Sequence, residues 1–233
     1  MKLIHFVNER APSESRLLAL SLTFASGFID CYTYILRGHT LSAGQTGNII
    51  FFATSLANRN LLGMITRGST MTAFVVGLMI VAWFHKHVRS NYWRVFCLFP
   101  ILIVCFAVGF IPASFPNYYL VPCIAFGLAV QNSSFSKIEG MAYNNAFTTG
   151  NLKQTAVAWS AYFFGADKAA HDAAVNYLLL VIAFFIGAIV SAVFQKFWGL
   201  QTIWFAGIWL AIVNIGYLLT LKKKLAANQK CTF

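Results

Sequence analysis

Two short polar tripeptides interrupt an otherwise apolar chain: Thr46-Gly47-Asn48 in "GQTGNIIFF" and Thr149-Gly150-Asn151 in "FTTGNLKQT". Thr and Asn side chains can accept hydrogen bonds from the free N–H groups of a helix start, and Gly permits a tight backbone turn into it. Short apolar runs follow, at 49–56 and 152–162, so each tripeptide reads as the capped start of a half-helix. A helix N-terminus carries roughly half a positive charge. Two of them facing one central region favour anions or dipolar solutes there and disfavour free cations. The plainer alternative is that the tripeptides only make surface turns.

Asp30 is the only acidic residue within an expected membrane span. A charged side chain at bilayer depth costs about 2.5–3.5 kcal/mol on insertion scales, so it should face the bundle interior, a cavity or a partner. A capping carboxylate and a solute-gating one look alike in sequence, and both readings stand. After Gly127 the second half reads "LAVQNSSFSK", which offers Gln131, Asn132, Ser133 and Ser134 but no acid; these suit interhelical hydrogen bonds. Lys153, in the first turn of the second half-helix, can pair with Asp30, attract an anion or snorkel to the cytoplasmic surface. Tyr32 and Tyr34 flank Asp30 as interface aromatics. The candidate solute pathway therefore comprises Asp30, Thr46, Gly47, Asn48, Gln131, Asn132, Thr149, Gly150, Asn151 and Lys153.

The elements that must position these residues are membrane helices. The 233-residue chain is 59% hydrophobic, 16% aromatic and only 10% charged, with a mean hydropathy of +0.69. That is a polytopic membrane protein rather than a soluble domain. The formal net charge of +11 is spread singly and in short runs between apolar stretches, as loop charges that set orientation are, which argues against nucleic-acid binding. The first apolar run exceeds a signal-peptide core and stays as a helix. Five cysteines lack metal-ligand spacing and read as small packing residues; the five histidines are scattered, so no metal or cofactor is expected.

Six stretches are long and apolar enough to cross a bilayer: 17–36, 66–84, 95–112, 118–136, 174–194 and 202–221. Two more polar segments, 38–58 and 139–164, lie between spans one and two and between four and five. If both are re-entrant, all Lys and Arg except Arg37, Arg59, Arg67 and Lys196 fall on the cytoplasmic side, together with both termini. If both cross, there are eight spans and the basic "HKHVRSNYWR" loop is forced outside. The charge distribution favours six.

The chain also repeats. Besides the tripeptides, and Gly27 and Gly127 ahead of them, "AFVVGLMIVAWFHK" (73–86) aligns with "AFFIGAIVSAVFQK" (183–196). Repeats at about 15–113 and 117–222 with three spans each make an inverted 3+3 repeat; eight spans would make a parallel 4+4 one. In either case 1–233 form a single all-α membrane domain.

The stretch "GFIDCYTYILRGHTLSAGQTGN", followed by a second "TTGN", resembles the YoaK-like family of bacterial multi-pass membrane proteins, described by a domain of unknown function. The resemblance spans about 15–222 and rests on Gly27-X-X-Asp30, the aromatic pair after it and the two Thr-Gly-Asn copies. Here Gln45 precedes the first tripeptide where an apolar residue or Met is expected. The resemblance implies a bacterial inner-membrane protein and carries over no site residues.

Three functions compete. A transporter or channel for a small anionic or polar solute is motivated by inverted repeats with interrupted helices. A structural or assembly protein without a transported ligand would use Asp30 and the tripeptides as folding devices. An enzyme is disfavoured, because no clustered histidines and no nucleophile–base spacing supply general acid–base chemistry. The expected partners are the lipid bilayer and a solute; the sequence does not indicate an oligomeric state.

Overall fold

The computed structural model describes residues 11–165 and 170–230. The Ser15 hydroxyl accepts the Leu18 N–H at 3.4 Å and starts α1 (Arg16–Leu36), which ends where Gly38 and His39 turn the chain at φ of 80° and 50°. After α2 (Gln45–Ala57), the Asn60 side-chain oxygen Oδ1 accepts the Gly63 N–H at 3.0 Å and caps α3 (Leu61–His87). Next come α4 (Trp93–Cys97), α5 (Phe99–Val108) and α6 (Asn117–Ser134). A small hairpin of β1 (Lys137–Ile138) and β2 (Met141–Ala142) leads to α7 (Thr148–Phe164). Then α8 (Ala170–Trp198) joins α9 (Ile203–Lys230) through a 3-10 turn.

The outcome is an all-α bundle apart from that hairpin. By length and composition, α1, α3 and the α8–α9 stretch qualify as membrane-crossing, and Trp93–Val108 is a shorter apolar stretch. Exposed Met79, Phe110, Phe185 and Phe197 suit lipid contact. Five expected spans fall on α1, α3, α6, α8 and α9. The stretch 95–112 is instead broken at Leu98 and its helix stops at Val108. Pro100, early in α5, has no N–H to give to the preceding turn, which is where a helix can restart but not continue.

Helix α1 packs along α8, and α3 along α6; α5 packs on α6, α9 on α1, and α5 on α9. The first two crossings are backbone-close. A side chain at Gly27 would collide with the Phe184 carbonyl and one at Gly187 with the Phe24 carbonyl, while one at Gly77 would meet the Phe126 carbonyl. The equivalence expected of Gly27 and Gly127 fails here. Gly27 faces α8, whereas Gly127 faces Ile101 of α5, so the two glycines serve different interfaces.

Polar contacts gather the helix ends into two groups. At one end, Glu139 after the β1 strand accepts from Arg16 at 3.1 Å and donates its N–H to the Glu14 carbonyl at 2.7 Å, and Arg94 reaches the Ser134 carbonyl at 2.9 Å. At the other end, Arg67 of α3 bridges the Ser55 hydroxyl at 2.8 Å and the His39 carbonyl at 3.3 Å.

Arg37, expected as an outer loop charge, is fully buried instead. Its guanidinium donates to the carbonyls of Val108, Ile111 and Pro112 at 2.8–3.2 Å, closing the C-terminal end of α5. A cation there matches the partial negative charge of a helix C-terminus. Lys2, Arg10, Lys168 and Cys231, which also entered the sequence reading, lie outside the described residues.

Candidate functional site

The α2 start is held from another helix. Asp30 sits in α1, 5% exposed, and its Oδ1 accepts the Ser42 hydroxyl at 2.8 Å and the Ala43 N–H at 2.7 Å; its Oδ2 accepts the Gly44 N–H at 3.2 Å. Three donors and no acceptor face the group, which suits the acceptor-only chemistry of a carboxylate. Asn48 does a second job. Its side chain accepts the Leu41 N–H at 3.0 Å and donates to the Leu41 carbonyl at 2.6 Å, clamping the loop that leads into α2.

The α7 start is built from the same bonds at the same spacing. Asn151 accepts the Asn144 N–H at 3.3 Å and donates to the Asn144 carbonyl at 2.7 Å, again across 7 residues. Asn132 accepts the Asn145 N–H at 3.2 Å across 13 residues, the separation between Asp30 and Ala43. An amide in α6 therefore stands where α1 has an acid. Asn144 adds a local turn, its Oδ1 accepting the N–H groups of Ala146 and Phe147 at 2.9 and 2.8 Å.

This geometry revises how the tripeptides work. Neither Thr46 nor Thr149 caps its helix; both side chains are exposed at the first turn. Gly47 and Gly150 lie within that turn without a positive φ, so no tight turn requires them. A side chain at Gly150 would meet nothing within 4 Å, while one at Gly47 would press on the Leu41 side chain. Asn is the member that carries structure.

The two starts open on one cavity of about 450 Å³. Asp30, Thr46 and Gly47 line it from one half, Thr148 and Thr149 from the other, and Phe184 and Ala188 of α8 close a wall. Of the remaining candidates, Asn48 and Asn151 lie buried as clamps, and Asn132 is buried behind the α7 start. Gln131 is buried too, but donates to the Leu22 carbonyl at 3.3 Å and the Ser26 hydroxyl at 3.1 Å, the interhelical role expected of it. Gly150 and Lys153 are exposed, and among the described residues Lys153 forms no ion pair with Asp30.

Tyr32 is not an interface aromatic: it is fully buried and its hydroxyl donates to the Leu200 carbonyl at 3.1 Å. Tyr34 is exposed and reaches the cavity. Sequence reasoning missed Ser42, Ala43, Gly44, Asn144 and Asn145. Placing the two Asn residues of the tripeptides in register aligns Leu41 with Asn144, and that spacing was the available signal.

Among the described residues no group of His, Cys, Asp and Glu could hold a metal. Cys97 and Cys105 are buried packing residues, Cys31 lines the cavity and Cys123 is exposed.

A model of the family described as "Protein of unknown function (DUF1275)" matches residues 18–216. The chain is similar to the UPF0700 transmembrane protein YoaK of Bacillus subtilis (strain 168), 22% identical over 94% of this chain and 99% of that protein. It is also similar to the undecaprenyl-diphosphatase of Renibacterium salmoninarum, 32% identical over 117 residues, which are 48% of this chain and 36% of that protein. No solved structure matches.

Proposed function

The chain belongs to the DUF1275 family of proteins of unknown function, and from that premise we propose that it is a transporter or channel for a small polar solute. The observation that carries this reading is the cavity between the two interrupted-helix starts. Irregular backbone at membrane depth is tolerated where it is buried in protein or lines a wet cavity. An anionic solute, which two bare helix starts would attract, is opposed by the Asp30 carboxylate already set against the α2 start.

The contacts favour six crossings, by α1, α3, α4–α5, α6, α8 and α9, with α2 and α7 re-entrant. With eight, the end of α6 and the beginning of α1 would lie across a bilayer of roughly 30 Å, yet Arg16 touches Glu139 at 3.1 Å. The Arg67 bridge likewise favours α2 returning to the side it came from, since it ties Ser55, late in α2, to His39 beside the end of α1. The pairings of α1 with α8 and α3 with α6 exchange when the halves are swapped, which supports an inverted repeat. The beginning of α1 and the end of α9 then face the cytoplasm of a bacterial inner membrane.

Labelling from outside tests this arrangement. Cysteines at the exposed His39 and Asn58 should both react, and one at Ala142 should not; opposite sidedness of His39 and Asn58 would overturn six crossings. For transport, urea flux into proteoliposomes is measured with Thr46→Cys or Thr149→Cys before and after thiol modification. Block of flux is expected. Unchanged flux after complete labelling would remove the cavity as the path, and no flux above empty liposomes would favour a structural or assembly protein. A non-enzymatic role belongs to the same reading, since Asp30, Cys31 and Tyr34 are the ionisable groups on the cavity and form no acid–base pair of carboxylates or histidines.

A further inference from the structure

The cavity wall carries an acid without a basic side chain facing it. Among the described residues, Asp30 is the acidic group on it and no Lys, Arg or His lines it. Buried charges are ordinarily paired, and among the described residues Asp30 makes hydrogen bonds but no ion pair. The α7 loop is held by the Asn132 amide through one backbone N–H, so a loop before a helix start can be held without a charge; the acid, with its three donors, belongs to the α2 side alone. Oδ2 accepts a single bond, from Gly44, which also lines the cavity, so acceptor capacity remains on that oxygen. Across the cavity, the Thr148 hydroxyl oxygen is buried without a hydrogen-bond partner. The rings of Tyr34, Phe147 and Phe184 complete a wall of the kind cations pack against.

We propose that the solute of this cavity is a small cation bearing N–H donors, of the ammonium or guanidinium class, with Asp30 as its counter-charge; this rests on the cavity being the functional site. One N–H reaches Asp30 Oδ2, another the Thr148 hydroxyl, and the charge is met by the carboxylate.

Guanidinium, urea and acetate are planar and similar in size but positive, neutral and negative, so they separate charge from shape. Purified protein in detergent should bind radiolabelled guanidinium in equilibrium dialysis, with urea and acetate competing at least tenfold more weakly. Asp30→Asn keeps one oxygen for Ser42 and Ala43 and gives up the Gly44 bond, and should weaken guanidinium binding tenfold or more in protein that still elutes as folded. Should Asp30→Asn misfold, Thr149→Lys, at an exposed first-turn position on the cavity, supplies a fixed cation and should abolish guanidinium binding. Undiminished binding in a folded variant, no binding by the wild type, or stronger competition by acetate would overturn the proposal. Proteoliposome flux of the three solutes separates the two readings. Binding of guanidinium without flux of any solute would retain the cation site and defeat transport. Flux of urea indifferent to Asp30→Asn, with no guanidinium binding, would do the reverse.

Discussion

The α1–α2 hairpin and the α6–α7 hairpin solve one problem with different charges. Each must bury a non-helical loop ahead of a helix start, and each uses an Asn four residues into its helix to clamp the loop across 7 residues. The first adds a carboxylate that takes three donors, the second an amide that takes one backbone N–H while Asn144 supplies the local turn. The difference teaches that the clamp is the shared structural device and that the acid is an addition specific to one wall of the cavity.

The comparison breaks first at the acid. Asp30→Ala strands three donors in the interior and should cost about 3 kcal/mol or more, whereas Asn132→Ala strands one and should cost about 1–2 kcal/mol. Thermal unfolding in detergent checks the order; equal losses would mean that the extra bonds of Asp30 carry no stability. At the clamps, Asn48→Ala and Asn151→Ala each remove two bonds to part-buried loop backbone, Asn48 losing a further one to the Gln45 side chain, and should each cost about 2 kcal/mol. A difference much larger than the spread between replicates would show that the hairpins are unequal beyond their charge. Smallest is the pair of glycines. Gly150→Ala meets open space and should stabilise by up to about 1 kcal/mol through helix propensity, while Gly47→Ala must displace the Leu41 side chain and should be neutral or slightly destabilising. A gain at both positions would mean that Leu41 yields freely. Separately, the purified protein is expected to release no phosphate from undecaprenyl diphosphate, and turnover there would revive an enzymatic role.

Several of these features were legible beforehand because they are local. Hydropathy over about 20 residues located the apolar stretches that fold as α1, α3, α6, α8 and α9. Leu98 and Pro100 escaped the hydropathy reading because proline is costly through its missing N–H rather than its polarity. Arg37 was misread because a cation just beyond an apolar run ordinarily faces water; here the free carbonyls at the end of α5 receive it.

By itself the sequence determined the membrane class, the two interruptions, the family and the recurrence of Thr-Gly-Asn, all of which depend on composition and on residues close together in the chain. Tertiary structure decided that Asp30 reaches Ser42 to Gly44, that Asn132 is its neutral counterpart, that Gly27 and Gly127 face different helices, and that both helix starts line one cavity. The physical reason is the path of the loops. A hydrogen bond across 13 residues or a backbone-close crossing exists only once the loop has folded back against its own helix and the two halves have packed, and no local pattern of residue types encodes that path.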